Sequence, residues 1–125
     1  MFSVVSTPKA PAAIGPYSQA IAVDGLVFTS GQIPLDPVSG AVAGTTIAEQ
    51  TEQVMKNIGA VLEAAGASFG TVIKTTCFLA DMADFASFNS VYGNYLSGKP
   101  ARSCVAVKAL PKGVLVEVEA IASRK

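Results

Sequence analysis

Four side chains near the C-terminal end are of types that can bind a carboxylate, move a proton or act as a nucleophile. Arg102, Cys104, Glu117 and Glu119 lie in two stretches of alternating character. A planar guanidinium grips a carboxylate through two parallel hydrogen bonds. A carboxylate can take a proton from water. A thiol serves either as a nucleophile or as a small packing group. Strand alternation puts Arg102, Cys104 and Ala106 on one face, and Leu115, Glu117, Glu119 and Ile121 on one face of the following strand. If Leu110-Pro111-Lys112-Gly113 joins these strands as a hairpin, an Arg, a Cys and a Glu converge on one surface. Alternation does not choose between Glu117 and Glu119, and the loop does not set the register. Each residue also has an ordinary reading. Arg102 suits a solvated or ion-paired surface, Cys104 a core position, and the two glutamates the polar face of a strand. Tyr17 after Gly15-Pro16 suits a turn anchor, Ser30-Gly31 a strand end, and Asn89 an exposed or capping place on a short helix.

Composition narrows the chemistry. The 125 residues contain no histidine, which removes His-based triads, His general bases and His metal ligands. Two separated cysteines, Cys77 and Cys104, cannot build a thiolate-rich zinc site or a disulfide framework, and they fit a reducing compartment. Nine basic residues balance nine acidic ones without clustering, so no footprint for nucleic acid or an anionic membrane is visible. No secretory signal or bilayer-length apolar run is readable, and a cytoplasmic protein is expected. Half of the residues are hydrophobic and 14% are charged. Ordinary domains carry about 25% charged residues. The apolar excess is therefore expected to meet other copies of the chain.

The elements that must position these groups follow from changes of period. One domain over 1–125 is expected. Ser18 to Val23 and Leu26 to Ser30 read as strands joined by an Asp24-Gly25 hairpin turn. Thr46-Ile47-Ala48-Glu49 is a capping-box pattern opening a helix whose apolar stripe runs from Ile47 to Ala65, with Gly66 ending it. Val72 to Leu79 reads as a buried strand that includes Cys77 as packing. Asp81 or Asp84 caps a second helix carrying Phe85, Phe88, Val91, Tyr92 and Tyr95. Ala101 to Ala109 and Val114 to Ala122 read as the last strands, with a further one at Phe2 to Ser6. The sum is an α+β plan with both helices on one face of a sheet, leaving the other face for a neighbouring subunit.

Five ordered motifs resemble the RidA/YjgF family over nearly the whole chain. They are residues 12–20 (Ala-Ala-Ile-Gly-Pro-Tyr-Ser-Gln-Ala), 28–35 (Phe-Thr-Ser-Gly-Gln-Ile-Pro-Leu), 73–92, 100–107 (Pro-Ala-Arg-Ser-Cys-Val-Ala-Val) and 116–122 (Val-Glu-Val-Glu-Ala-Ile-Ala). The resemblance implies a chorismate-mutase-like fold of the Bacillus type, in a homotrimer with a central barrel and clefts between subunits. It implies hydrolytic deamination of 2-enamine and 2-imino acids, such as 2-iminobutanoate and 2-iminopropanoate, without a cofactor or metal. Pyridoxal-phosphate dehydratases would supply such imines. Arg102 matches the family's carboxylate clamp and Glu117 its water-positioning acid. Only the resemblance selects Glu117 over Glu119. Tyr17, Ser30, Gly31, Asn89 and Cys104 match the remaining pocket positions. The chain departs from many members in a short connection before Pro100, where Lys99 stands in place of Phe. A carboxylate-binding trimer without turnover, and a ribonuclease or translation inhibitor, are the competing functions. The absent histidine and zero net charge weigh against the ribonuclease.

Overall fold

The architecture, seen in a computed structural model that describes residues 1–124, is one six-stranded sheet with two helices on a single face. The strands are β1 (Ser3–Val5), β2 (Ala20–Val23), β3 (Leu26–Thr29), β4 (Val72–Leu79), β5 (Ala101–Ala106) and β6 (Val116–Ser123). The helices are α1 (Ile47–Ala64) and α2 (Phe85–Tyr95). Spatial order is β1-β2-β3-β6-β4-β5.

Local chemistry explains the elements. Asp24 and Gly25 both take positive φ, 50° and 79°, which matches the twist of a two-residue hairpin and sets Val23 opposite Leu26. The Thr46 hydroxyl accepts from the Glu49 amide at 3.2 Å, and Glu49 accepts from the Thr46 amide at 3.2 Å. This reciprocal box starts α1 as its sequence predicts. Ala65 caps the far end, and Gly66 follows at φ 80°. Asp81 caps a short turn (Met82–Asp84) by accepting from the Ala83 amide at 2.9 Å; α2 begins after it.

Alternation in β6 separates the two faces cleanly. Val116, Val118, Ala120 and Ala122 are buried under the helices, while Glu117, Glu119 and Ile121 point the other way. Val54, Met55, Ile58, Val61 and Leu62 of α1 form the facing stripe, with Phe88 from α2. Val4, Phe28 and Val105 remain exposed, and the alternation puts them on the bare face. The apolar excess of the composition is partly there.

The expected hairpin between the last two strands does not form. β5 pairs in parallel with β4, and β6 lies antiparallel on the other side of β4. The reason is α2. A helix between β4 and β5 makes a strand–helix–strand crossover, and such a unit lays its strands parallel. β5 thereby becomes a sheet edge.

Asn57 braces the loop that leaves β3. It is fully buried on α1, and its side-chain amide donates to the Ile33 and Leu35 carbonyls at 3.2 and 3.0 Å. Asn57→Ala strands both carbonyls. It should destabilise the fold by about 2 kcal/mol, read from chemical denaturation at unchanged m-value.

Candidate active site

Glu117 sits at the floor of a cavity of about 680 Å³. Its walls include Ile14 and Tyr17 from the N-terminal loop, Ser30 and Gly31 after β3, and Lys112 at the rim. The walls are pinned by the backbone. Gln19 is buried and holds the N-terminal loop by accepting from the Thr7 amide at 2.7 Å and donating to Pro11 O at 2.8 Å. The Ser30 hydroxyl donates to Ser18 O at 2.5 Å. Gln32 and Val118 exchange both backbone bonds, at 2.8 and 3.1 Å, and so clamp the Gly31 segment onto β6.

That clamp explains the glycine. A Cβ at Gly31 would collide with Glu117 Oε2 and lie 2.8 Å from its Cδ. The carboxyl group therefore rests in the space where a side chain would be. Burial pushes the Glu117 proton affinity up, and the neighbouring Glu119 charge adds to the effect. Such a carboxyl is suited to exchanging protons nearer neutrality. Gly31→Ala should swing the end of the Glu117 side chain away. We expect at least about a tenfold fall in turnover with little loss of thermal stability. A large drop in melting temperature instead would mean that the glycine serves folding.

Arg102 lies elsewhere. Its Nη1 donates to Asn89 Oδ1 at 2.7 Å, and its guanidinium carbon stands 5.0 Å from the Tyr92 ring centre and 5.4 Å from that of Phe85. The rings hold the plane by cation–π attraction. Tyr92 is itself fixed by a 2.6 Å bond between its hydroxyl and that of Thr75. Arg102 and Asn89 line a separate cavity of about 320 Å³ with Tyr92, Lys99 and Pro100.

Register shows why the two groups are apart. Arg102 is level with Thr75, and Cys104 with Cys77; both partners are buried beneath the helices. Glu117 is level with Phe78 on the opposite face. Within one copy, Arg102 and Glu117 are therefore on opposite sides of the sheet, which overturns their expected convergence on one hairpin surface. Tyr17, Ser30, Gly31 and Glu117 gather on one side, and Asn89 and Arg102 on the other. Half-buried Cys104 faces the helix side with Arg102; burial raises its thiol proton affinity, with Arg102 pulling it down. Cys77 is buried, and burial lifts its thiol to about 12, which fits the expected packing role.

Two contributors, Lys112 and Tyr92, were not singled out from sequence as site residues, whereas Glu119 was, as the alternative to Glu117. Lys112 reaches the rim because its turn gives it a φ of 57°. Glu119 lines the same cavity as Glu117, as its position two residues on would allow. Tyr92, expected as a packing residue, also supports Arg102. Among the described residues, no helix is long and apolar enough to cross a membrane.

Fold and site together define a small α+β protein with an arginine seat on one face of its sheet and a half-buried acid on the other. Residues 7–124 match the family model for endoribonuclease L-PSP, and the chain belongs to that family, also called YjgF/RidA. It is 52% identical over 120 residues to the mouse 2-iminobutanoate/2-iminopropanoate deaminase, covering 95% of this chain and 89% of that one. It is 52% identical over 123 residues to a RutC family protein of Pyrococcus abyssi, covering 98% and 97%. Among solved structures it resembles Escherichia coli TdcF with bound serine, with a TM-score of 0.93 and 42% identity over 98% of this chain and 99% of that one.

Proposed function

We propose that this protein hydrolyses 2-imino acids, with 2-iminobutanoate and 2-iminopropanoate as substrates, to 2-keto acids and ammonia. The observation that carries the reading is the Glu117 carboxyl seated against Gly31 in the larger cavity, with its proton affinity raised. The kinship to the mouse deaminase supports it, as does the serine bound to TdcF, a small acid of comparable size. The opposite placement of Arg102 and Glu117 supports a joint site, with Arg102 from one copy and Glu117 from its neighbour. A homotrimer packing through the bare sheet face meets that need and covers Val4, Phe28 and Val105. The cytoplasm, where dehydratases release imines, is its place of action.

Arg102 grips the substrate carboxylate and so orients C2. Glu117 takes a proton from water as the water oxygen bonds to C2 and the C=N pair moves onto nitrogen. The protonated Glu117 then returns its proton to the leaving nitrogen. Glu117 then takes the proton of the adduct's hydroxyl and passes it to the same nitrogen as the C2–N bond breaks, so that C=O forms and ammonia departs. One water is consumed per imine. Tyr17, Ser30 and Asn89 shape the pocket, and Cys104 supports Arg102 from the adjacent position on its strand.

The test couples the protein to a threonine dehydratase and traps the surviving imine with semicarbazide. Reduced trapping with a matching rise in ammonia is expected. Unchanged trapping by a folded oligomer that still binds 2-oxobutanoate would replace this reading with a carboxylate-binding module.

A further inference from the structure

We propose that Lys112 is a substrate-recruiting residue, whose ammonium at the cavity mouth offsets the two carboxylates there and draws a carboxylate-bearing acid into the site. The inference deepens the deaminase reading and rests on the shared site, in which a neighbouring copy supplies Arg102. Three observations carry it.

The first is the charge that an entering acid meets. Two carboxylates, Glu117 and Glu119, line the larger cavity, and the cation in the same lining is Lys112. A 2-imino acid carries its own carboxylate, and like charges in one cavity repel it. The neighbouring copy brings Arg102, with Lys99 in the same wall. Arg102, Lys99 and Lys112 then stand against Glu117 and Glu119. One positive charge is left over, which a single substrate carboxylate balances. Without Lys112 the shared site is neutral, and the half that holds the base is negative throughout.

The second is the way the turn presents Lys112. The Gly113 amide donates to Leu110 O at 3.1 Å, and the Val114 amide to Pro111 O at 3.3 Å. Val114 is buried, and the next amide, Leu115, donates to Oε1 of the buried Gln50 at 2.8 Å. The turn is thereby pinned to α1, and the lysine rises from a fixed base. Its φ of 57° and ψ of 18° lie in the left-handed region that favours glycine. A glycine at this position would make the turn more readily, so the turn itself gives no reason for a lysine.

The third is depth. Lys112 is exposed in one copy, whereas Glu117 is half-buried at the cavity floor. An incoming acid therefore meets the ammonium before it meets the base. A charge at the rim of a site acts on encounter and shows itself through salt dependence.

The experiment titrates 2-oxobutanoate into the intact oligomer by calorimetry at low and at high salt. It compares wild type with Lys112→Asn, which tolerates the same φ, and with Lys112→Arg, which keeps the charge. Lys112→Asn should bind about tenfold more weakly at low salt, and the gap should close as salt rises. Lys112→Arg should bind as wild type does. Adding Glu119→Gln to Lys112→Asn should recover affinity, because it removes one of the charges that the lysine offsets. In imine turnover the loss should sit in kcat/KM and not in kcat. Wild-type affinity in Lys112→Asn, or a double variant no better than Lys112→Asn, overturns the proposal. So does a loss equal at both salts, which would make Lys112 a packing residue. An equal fall in kcat overturns it as well, by placing Lys112 in the chemistry. Salt-sensitive, Lys112-dependent binding in a protein that leaves imine trapping unchanged would uphold the recruiting role and remove the deaminase reading. Imine turnover with no Lys112 dependence would do the reverse.

Discussion

Arg102→Ala should cost about 10²–10³-fold in kcat/KM for imine hydrolysis, with the oligomer intact. The figure follows from removing a charge-assisted, bidentate contact, worth about 3–4 kcal/mol in a partly dry site. Much of the loss should appear in kcat as well as KM, because the clamp also aims C2 at the attacking water. Structural damage should be slight. Arg102 is exposed in one copy, and its partners are Asn89 and the faces of two rings. Arg102→Lys keeps the charge and loses the fork, so it should recover only part of the activity. Full activity in Arg102→Ala would place the carboxylate elsewhere.

Glu117→Gln should lower kcat by about 10²–10⁴-fold, the usual contribution of a positioned general base. The wild-type pH profile should carry its signature. Burial and the Glu119 charge hold the Glu117 proton affinity above the ordinary carboxyl value of 4.5. The base works ionised, so activity should fall as pH drops through that raised value, earlier than for a free carboxyl. The linked effect on stability has the opposite sense. Between the ordinary and the raised value the folded chain keeps a proton that the unfolded chain releases, so stability declines as pH rises through that window. At neutral pH the ionised Glu117 therefore weakens the fold. Glu117→Gln should melt higher than wild type at pH 7 while losing turnover, and the two melting curves should converge below the ordinary carboxyl value. A variant that melts lower at pH 7 would identify Glu117 as a structural residue.

The elements were readable wherever the signal was local. The Asp24-Gly25 turn, the Thr46–Glu49 box and the stripe from Ile47 to Leu62 appear as their spacing predicts. β4 occupies the same residues that its β-branched run marks out. Strand ends shifted where pairing partners run out: β5 stops at Ala106 because β4 ends at Leu79. Neighbour relations were harder to read. Two strands joined by a short loop look like a hairpin, and only the crossover through α2 shows that β4 must lie between them. The site was legible as residue types and as family positions, but its division was not. The seating of Glu117 on Gly31 joins residues far apart in the chain and leaves no periodic trace. The support of Arg102 by Tyr92 has the same origin, since a tyrosine at helical spacing looks like packing whether or not a cation lies over it.

The division of the site gives the account its most direct test. Arg102→Ala and Glu117→Gln chains, each nearly inactive alone, would be co-expressed with different tags. The mixed oligomers would be purified through both tags and assayed for imine hydrolysis. If Arg102 and Glu117 of different copies share each site, every mixed trimer contains one site of three with both residues intact, and activity should return to about a third of the wild-type level. Mixed oligomers as inactive as either parent would contradict a shared site and, with it, the proposed mechanism.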